Sequence, residues 1–404
     1  MLQFKQIKNY IHENIKFVDR SELIKINDGL GRCLAYDLSA KIDIPPKDNS
    51  AVDGYALNYL IYTNSKNKTF QVQDEINAGD QKEKRYSKNA LLKISTGAQL
   101  PKGFDTVVMQ ENAIKNKNGY IKLPDKIKKF MNVRSLGEDV KKGNLIFKEK
   151  HYLRPQDLGM LASLGITRIK VVKKITVGIL SNGNELVEPG LKKKSYQIYD
   201  SNRYILKSLL SSNNIKCTDY KIVIDDYNII KKKLANIKDK CDLIVVSGGA
   251  SSGNKDFIVK AVEELGEIKF WKVNIKPGRP FGLGNINKNT PILILPGNPV
   301  ASFTIFSIFG TIILNKMLTN NLCSYKCFHV RSNFNMKKKI GREEFLRGKF
   351  FKKNNAFYAD KFITQGAGIL SSLVWANGLI KLDSKISNIK KNDLLEFIPF
   401  EFIK

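Results

Sequence analysis

Cysteine and histidine are scarce in this chain of 404 residues, which contains five Cys and three His. An odd number of cysteines without even spacing argues against a disulfide framework and favours a reducing compartment. Cys323, Cys327 and His329 are close in sequence, but a fourth ligand at the spacing of a zinc site is missing. The sequence therefore gives little support to a zinc protein or a small disulfide-bonded fold.

Arginine is also rare, at 11 of the 68 basic residues, and the lysines are spread along the whole chain. The formal net charge, 68 − 38 = +30, suits a nucleic-acid-binding protein. Proteins that recognise nucleic acids usually do so with arginine side chains, which are clustered on one face of the protein. A genome-wide bias towards Lys, Asn and Ile explains the same numbers, so we expect no nucleic-acid partner.

Long apolar runs are missing as well. The longest, residues 300–314, is shorter than a membrane span needs and contains Ser, Thr and Gly, which favours a buried or dimer-facing helix. Residues 1–17 alternate charged and apolar residues and lack the apolar segment of a signal peptide. We therefore expect a cytoplasmic protein without a membrane partner.

The periodicity of apolar residues changes along the chain, whose length predicts two to four domains. Residues 1–40 have a helical pattern, and residues 45–140 are predicted to form strands separated by turns. Residues 174–317 alternate strands with amphipathic helices, and residues 325–404 return to short strands.

The middle part predicts a parallel sheet covered by helices on both faces. The predicted strands are 174–180, 215–224, 242–246, 269–275 and 291–295, and the predicted helices are 202–213, 226–238, 255–265 and 298–317. Ligands bind at the carboxyl ends of the strands in such sheets. We therefore expect the loops that follow the five strands to converge on one edge.

The loop after the third strand contains SGGASSGNKD, residues 247–256. Gly248 and Gly253 have the spacing of a Walker loop, but Asn254 stands where its lysine is required, and no dinucleotide-binding G-x-G-x-x-G occurs. Two interpretations remain: a tight strand-to-helix turn, or a helix start whose free N–H groups bind an anion.

Acidic and basic side chains accompany these loops. They are Glu185, Asp225, Asp226 and Asp256, with Asp200 nearby, and Lys255, Lys272, Lys276 and Arg279. Such a mixture suits a phosphate ester bridged by Mg²⁺, because carboxylates hold the cation while basic groups hold the oxyanion. Taken singly, Asp200 and Asp256 are equally well placed to cap helices.

Eight segments in chain order resemble the molybdopterin molybdenumtransferases, the enzymes that insert molybdenum during molybdenum-cofactor synthesis and relatives of the gephyrin C-terminal region. The segments are DNSAVDGYAL (48–57), STGAQLPKGFDTVVMQEN (95–112), NVRSLGEDV (132–140), LSNGNELVEPG (180–190), YDSNRY (199–204), VSGGASSGNKDF (246–257), WKVNIKPGRPFGLG (271–284) and LPGNPVASF (295–303).

The resemblance implies an α/β plus β fold: an elongated, multidomain homodimer in which one subunit's β-rich domain closes the site on its partner's α/β domain. The implied domains are a linker formed by 1–44 with 141–172, a β-rich domain at 45–140, a parallel-sheet α/β domain at 173–322, and a C-terminal β-barrel at 323–404. The implied reaction joins molybdate to adenylylated molybdopterin, with Mg²⁺ present, and releases AMP.

The resemblance also implies the site residues. Its acids fall on Asp53, Asp139, Glu185, Asp225 and Asp256, its threonine on Thr96, its basic residues on Arg134, Lys272, Lys276 and Arg347, its phosphate loop on Ser247, Gly248, Gly249 and Ser252, and its rigid loop on Pro296 and Pro299. Arg279, from the basic loop itself, is a further candidate for binding the substrate. We expect Asp225, Asp256 and Glu185 to hold Mg²⁺. We expect Lys272 and Lys276 to bind molybdate or the pterin phosphate.

Asp53 and Thr96 are expected to reach the cleft from the partner subunit, although Asp53 would also fit as a cap of its own turn. Two positions depart from the family: Asn184 replaces an acid, and Ala367 replaces a serine that Ser371 or Ser372 would have to supply. The alternative function is a non-catalytic pterin-binding scaffold. The expected partners are the enzyme that supplies adenylylated molybdopterin and the enzymes that accept the cofactor.

Overall fold

The structure is a computed structural model, and it describes residues 1–80, 84–249, 256–287, 289–321 and 325–403. Five residues named above lie outside these ranges: Ser252, Gly253, Asn254, Lys255 and Cys323.

Short strands dominate the N-terminal part of the chain. Its elements are α1 (Phe4–Asn14), β1 (Ser21–Lys25), β2 (Leu38–Ser39), β3 (Asn49–Ser50), β4 (Gly54–Leu57), α2 (Tyr59–Asn64), β5 (Thr69–Phe70), β6 (Val72–Ile76), β7 (Leu91–Ile94), β8 (Thr106–Met109), β9 (Ile114–Lys115), β10 (Ile121–Lys122), β11 (Val133–Arg134), β12 (Leu145–Phe147), α3 (Pro155–Ser163) and β13 (Arg168–Val172).

Two antiparallel pairs, β1 with β13 and β2 with β12, join the beginning of this part to its end. Between them lie a four-stranded sheet in the order β6-β7-β4-β8 and a three-stranded sheet in the order β5-β10-β9. The helical prediction for residues 1–40 is wrong beyond α1, because β1 pairs along its whole length with β13.

Strands and helices alternate in the middle part. Its elements are β14 (Ile175–Asn182), β15 (Leu186–Val187), β16 (Ile198–Tyr199), α4 (Asn202–Leu209), β17 (Ile215–Val223), α5 (Tyr227–Ile237), β18 (Leu243–Gly248), α6 (Phe257–Leu265), β19 (Gly266–Trp271), β20 (Ile275–Lys276), β21 (Gly282–Ile286), β22 (Thr290–Leu295), α7 (Pro299–Ile305) and α8 (Thr311–Thr319).

Six of these strands form one sheet in the order β17-β14-β18-β22-β21-β19. The first four are parallel, as predicted, but β21 is antiparallel to both of its neighbours. Strand β21 is not among the predicted strands, and two of its five residues are glycines. The predicted strand 269–275 also ends earlier, at Trp271, and β20 pairs instead with the C-terminal part.

Alternation along the strands divides this sheet into two buried faces. Leu243 and Val245 point to the cluster formed with α1, α4, α7 and α8, whereas Ile244 and Val246 point to the cluster formed with α5 and α6. The predicted α/β layer with helices on both faces is confirmed.

The apolar run at 300–314 lies in a helix of 21 residues, Pro299–Thr319, in which a π-helical turn, Phe306–Gly310, joins α7 to α8. This helix is long and apolar enough to cross a membrane, but 83% of its most apolar window is buried inside the protein. It packs in the core beneath the sheet, as predicted for a buried helix.

The C-terminal part is a closed barrel. Its elements are β23 (Phe328–Ser332), β24 (Met336–Lys337), β25 (Glu343–Lys353), β26 (Ala356–Lys361), α9 (Ser371–Trp375), β27 (Gly378–Leu382), β28 (Asn388–Ile389) and β29 (Leu394–Pro399). Five strands pair in the order β25-β26-β23-β29-β27, and β27 returns to β25. The predicted C-terminal β-barrel is therefore confirmed.

Candidate functional site

The topology places a crevice between the carboxyl ends of β14 and β18. After β14 the chain leads through α4 to β17 on one side, whereas after β18 it leads through α6 towards β19 on the other side. Adjacent parallel strands whose connections diverge leave an opening where ligands bind. The loops after β14, β17, β19 and β22 lie at this edge, as expected, and so does Gly249, the described residue that directly follows β18.

The turn after β18 requires both of its glycines. Gly248 and Gly249 have φ values of +92° and +66°, in the left-handed region that favours glycine. A Cβ on Gly249 would lie 2.6 Å from the Asn182 side-chain oxygen and 2.6 Å from Ile258. The turn therefore packs directly against the end of β14, and Ser247, at its start, is buried.

One amide connects three segments at this edge. Asn202, the first residue of α4, is buried, and its Nδ2 donates to Ser247 Oγ at 2.8 Å and to the Gly297 carbonyl at 2.7 Å. Ser247 belongs to the glycine turn and Gly297 to the loop of Pro296 and Pro299. Asn202 thus holds these two walls of the crevice together.

The three predicted metal-binding acids end up on separate loops. Glu185 is exposed after β14, and its carboxylate lies over Gly183. Asp225 is half-buried after β17, and its backbone N–H donates to Asn184 Oδ1 at 2.9 Å. Asp256 is half-buried at the N-cap position of α6. Asn184 therefore accepts a backbone hydrogen bond that the family's acid could accept as well.

Within the described ranges, no three His, Cys, Asp or Glu side chains are grouped closely enough to hold a metal ion by themselves. Mg²⁺ is commonly bound by one or two carboxylates, with water and substrate phosphates completing its coordination. Glu185 and Asp225 fit that pattern, because they follow neighbouring strands and the Asn184–Asp225 hydrogen bond joins their loops.

Two other acids at this edge have structural roles. Asp226 caps α5 by accepting the Ile229 N–H at 3.0 Å. Asp200 is buried and accepts the backbone N–H of Arg203 at 3.2 Å and its Nε at 3.0 Å. The capping interpretation is therefore correct for Asp200.

The basic loop between β19 and β21 is closed by backbone hydrogen bonds. The Lys272 N–H donates to the Phe281 carbonyl at 3.1 Å, and the Val273 N–H donates to the Arg279 carbonyl at 2.9 Å. Lys272 adopts a positive φ of 65°, an unusual conformation for a lysine that is often found at functional sites. Lys276 and Arg279 are exposed.

The loop of Pro296 and Pro299 is held from the barrel side. Pro299 is at the start of α7, where its missing N–H costs no helical hydrogen bond. The next residue, Val300, donates its N–H to the Ala367 carbonyl at 3.1 Å. The segment around Ala367 thus contributes a backbone carbonyl here, whatever side chain it carries.

Arg347 supports that same segment from inside the barrel. It is only 1% exposed; its Nε donates to Ser372 Oγ at 2.9 Å, and its Nη2 donates to the Gly366 carbonyl at 3.1 Å. Burial lowers the pKa of Arg347 to about 10. Ser372 is buried, and its hydroxyl accepts from Arg347 and donates to the Ile369 carbonyl at 2.6 Å, whereas Ser371 is exposed.

The β-rich part brings two predicted residues together. Asp53 Oδ1 accepts the Thr96 backbone N–H at 2.6 Å and the Thr96 hydroxyl at 2.8 Å, and both side chains are exposed. These two hydrogen bonds lower the pKa of Asp53. Arg134, in β11, and Asp139 are exposed elsewhere on this part of the chain.

Sequence reasoning missed a buried charge cluster beneath the loop of Glu185. Arg203 is 1% exposed and contacts Glu188, Asp200 and Asp219. Burial alone would lower the pKa of Arg203, but its hydrogen bonds to the three carboxylates raise it. The motif YDSNRY contains Arg203, yet nothing in the local sequence indicates a partner on β17.

Comparisons with known proteins agree along the whole chain. Three family models match: the MoeA N-terminal region (domain I and II) at residues 2–165, a probable molybdopterin binding domain at 178–316, and the MoeA C-terminal region (domain IV) at 329–400. A molybdopterin molybdenumtransferase of Haemophilus influenzae is 32% identical over 405 residues, which cover 100% of both chains.

A putative molybdopterin biosynthesis protein of Methanocaldococcus jannaschii is also 32% identical, over 97% of this chain and 94% of the relative. The crystal structure of the molybdopterin biosynthesis MoeA protein from Pyrococcus horikoshii superposes with a TM-score of 0.84 at 27% identity, covering 99% of this chain and 100% of that one. Similarity of this extent shows that the chain belongs to the molybdopterin molybdenumtransferase (MoeA) family and is an enzyme of molybdenum cofactor biosynthesis.

Proposed function

We propose that the chain inserts molybdenum from molybdate into adenylylated molybdopterin, in a Mg²⁺-dependent reaction that releases AMP. The observation that carries this proposal is the arrangement at the switch point of the sheet. There, a glycine turn after β18, carboxylates on neighbouring loops and a basic loop share one edge. These are the groups that a pyrophosphate bridge and an oxyanion substrate require.

The charge of each loop indicates which part of the substrates it would bind. The turn of Ser247, Gly248 and Gly249 receives the pterin phosphate, and Lys272 and Lys276 receive the oxyanion. Asp225 and Asp256, with Glu185 as a third carboxylate, are the residues that would hold Mg²⁺ together with substrate oxygens. When bound, Mg²⁺ supplies a positive charge against the phosphoanhydride from which AMP leaves.

The experiment is to measure AMP release from adenylylated molybdopterin, with molybdate and Mg²⁺, in Asp225→Asn and Asp256→Asn. Each change removes a negative charge but keeps the size of the side chain, so we expect Mg²⁺-dependent release to be lost. Asp239→Asn is the control, because Asp239 is exposed in the turn before β18, at the opposite edge of the sheet. Undiminished release in Asp225→Asn would contradict the assignment.

The proposal includes a cytoplasmic homodimer in which Asp53 and Thr96 of one subunit face the α/β edge of the other. Its support is the resemblance of the β-rich segments and the exposure of the Asp53–Thr96 pair. The other partners would be the enzyme that makes adenylylated molybdopterin and the enzymes that take up the finished cofactor.

A further inference from the structure

The basic loop of the α/β part is joined to the barrel through a short parallel pairing. In β20, Ile275 lies opposite Glu343 and Lys276 opposite Glu344, the first two residues of β25. Lys276 Nζ donates to Glu344 Oε2 at 3.2 Å. A lysine of the candidate site is thus paired with a carboxylate that belongs to the C-terminal barrel.

The two partners differ in their exposure. Glu344 is 5% exposed, whereas the Lys276 side chain is 50% exposed. A buried carboxylate is costly without a cation or hydrogen-bond donors beside it, so the contact with the Lys276 ammonium offsets part of the cost of burying Glu344. An ammonium carries three N–H donors. One contact with Glu344 therefore leaves two N–H donors of Lys276 for a ligand on the exposed side.

The backbone before Lys276 is held in place as well. Asn274 Nδ2 donates to the Gly341 carbonyl in the barrel, and the Asn274 N–H donates to the Leu2 carbonyl at 3.0 Å. The flexible four-carbon side chain of Lys276 is then the main source of movement at this position. Its contact with Glu344 restricts that movement.

We propose that Glu344 is a positioning residue, through which the barrel holds the Lys276 ammonium where it receives the oxyanion substrate. The inference rests on the proposed function, in that it takes Lys276 as the anion receptor. A cation that is already ordered binds its anion more tightly, because the cost of ordering is not taken from the binding free energy.

Two variants separate positioning from simple neutralisation of charge. Glu344→Gln removes the charge at nearly constant size, and Glu344→Asp keeps the charge but shortens the side chain by one methylene. If Glu344 positions Lys276, both variants raise the KM for molybdate, by about three- to fivefold for a half-exposed charge contact, with kcat nearly unchanged. If Glu344 only neutralises Lys276, Glu344→Gln has a KM at or below that of the unaltered protein, which would overturn the inference.

Glu396→Gln is a matched control. Glu396 pairs with Lys381 at 3.0 Å in the same barrel, so its variant makes the same change in net charge at a lysine–glutamate pair. We expect its KM for molybdate to equal that of the unaltered protein. An equal rise in this control would show a general effect of charge and would likewise overturn the inference.

A direct measurement keeps this test independent of turnover. The protein is labelled with lysine that carries ¹³C at Cε, the Lys276 signal is assigned by its loss in Lys276→Arg, and molybdate is titrated in. We expect Glu344→Gln to shift the Lys276 signal before molybdate is added and to raise the midpoint of the titration. An unaltered protein that releases no AMP would refute the proposed function alone, whereas a Lys276 signal that ignores molybdate would refute the inference.

Discussion

At the scale of single residues, two hydrogen bonds stabilise the charged form of the Asp53 side chain. It accepts both the N–H and the hydroxyl of Thr96, from a loop 43 positions further along the chain. Both bonds favour the ionised carboxylate, which is why the pKa of Asp53 is lowered although its side chain is exposed. In our proposal Asp53 acts beside a polyanionic substrate, where these hydrogen bonds would keep it ionised.

Thr96→Val removes the hydroxyl and keeps the backbone donor, so part of this support is lost. We expect the pKa of Asp53 to rise towards the ordinary aspartate value, because a hydrogen bond to the charged form has disappeared. The acid limb of the pH profile of AMP release should move to higher pH in the same direction. Carboxyl ¹³C NMR titration measures the pKa directly.

Thr96→Ser keeps the hydroxyl and is the control, with an expected titration close to that of the unaltered protein. A Thr96→Val protein in which Asp53 titrates at the original pH would show that the backbone N–H alone sets this pKa.

At the scale of elements, side chains from the first turn of α4 hold the loops of the crevice in place. Asn202 holds the glycine turn and the Gly297 loop, and the next residue, Arg203, holds Glu188, Asp200 and Asp219. Two adjacent residues of one helix therefore connect the glycine turn, the Gly297 loop, the segment around Glu188 and strand β17. This explains how polar loops without a core of their own keep a defined separation.

Asn202→Ala removes both donors of that connection. We expect the free energy of unfolding to fall by about 1–3 kcal/mol, because the buried Ser247 hydroxyl and the Gly297 carbonyl lose a partner. We also expect the KM for adenylylated molybdopterin to rise, because the two walls are no longer held together. Chemical denaturation and steady-state kinetics measure the two effects.

Asn213→Ala is the control for this change. Asn213 is exposed and donates one hydrogen bond to the Leu30 carbonyl at 2.7 Å, so we expect a change within roughly 0.5 kcal/mol. An Asn202→Ala protein with unaltered stability and KM would mean that Ser247 and Gly297 keep their places without the amide.

At the scale of the whole molecule, separate parts of the chain contribute to one site. The barrel contacts the α/β edge through Glu344 to Lys276, through the Gly341 carbonyl to Asn274 and through the Ala367 carbonyl to Val300. The β-rich part carries Asp53 and Thr96, which in our proposal act on the partner subunit. If two subunits contribute different residues to one site, variants that each lack one contribution should complement each other.

Asp53→Asn and Asp225→Asn are expected to inactivate the homodimer separately and to complement each other when mixed. If the two residues serve one site across the dimer interface, a mixed dimer contains one site with both acids intact. Random exchange of subunits then restores about a quarter of the original AMP release. No recovery after verified exchange would show that both acids act within one chain.

The sequence by itself determined the local elements of the α/β part and the positions of its loops. Strands 175–182 and 215–223 and helix 227–237 lie within two residues of their predicted bounds, because burial on both faces demands apolar runs and amphipathic helices. The convergence of the loops followed, since parallel strands end at the same edge. The barrel was expected only from resemblance.

Only the tertiary structure decided which distant groups meet. The antiparallel strand β21, the pairing of β20 with β25, and the contacts Lys276–Glu344 and Arg203–Asp219 are not visible in any local pattern. Hydrophobic periodicity records which face of an element is buried, but it does not record which partner covers that face. A salt bridge depends on its partner, and in both of these pairs only the folding of the chain brings the two residues together.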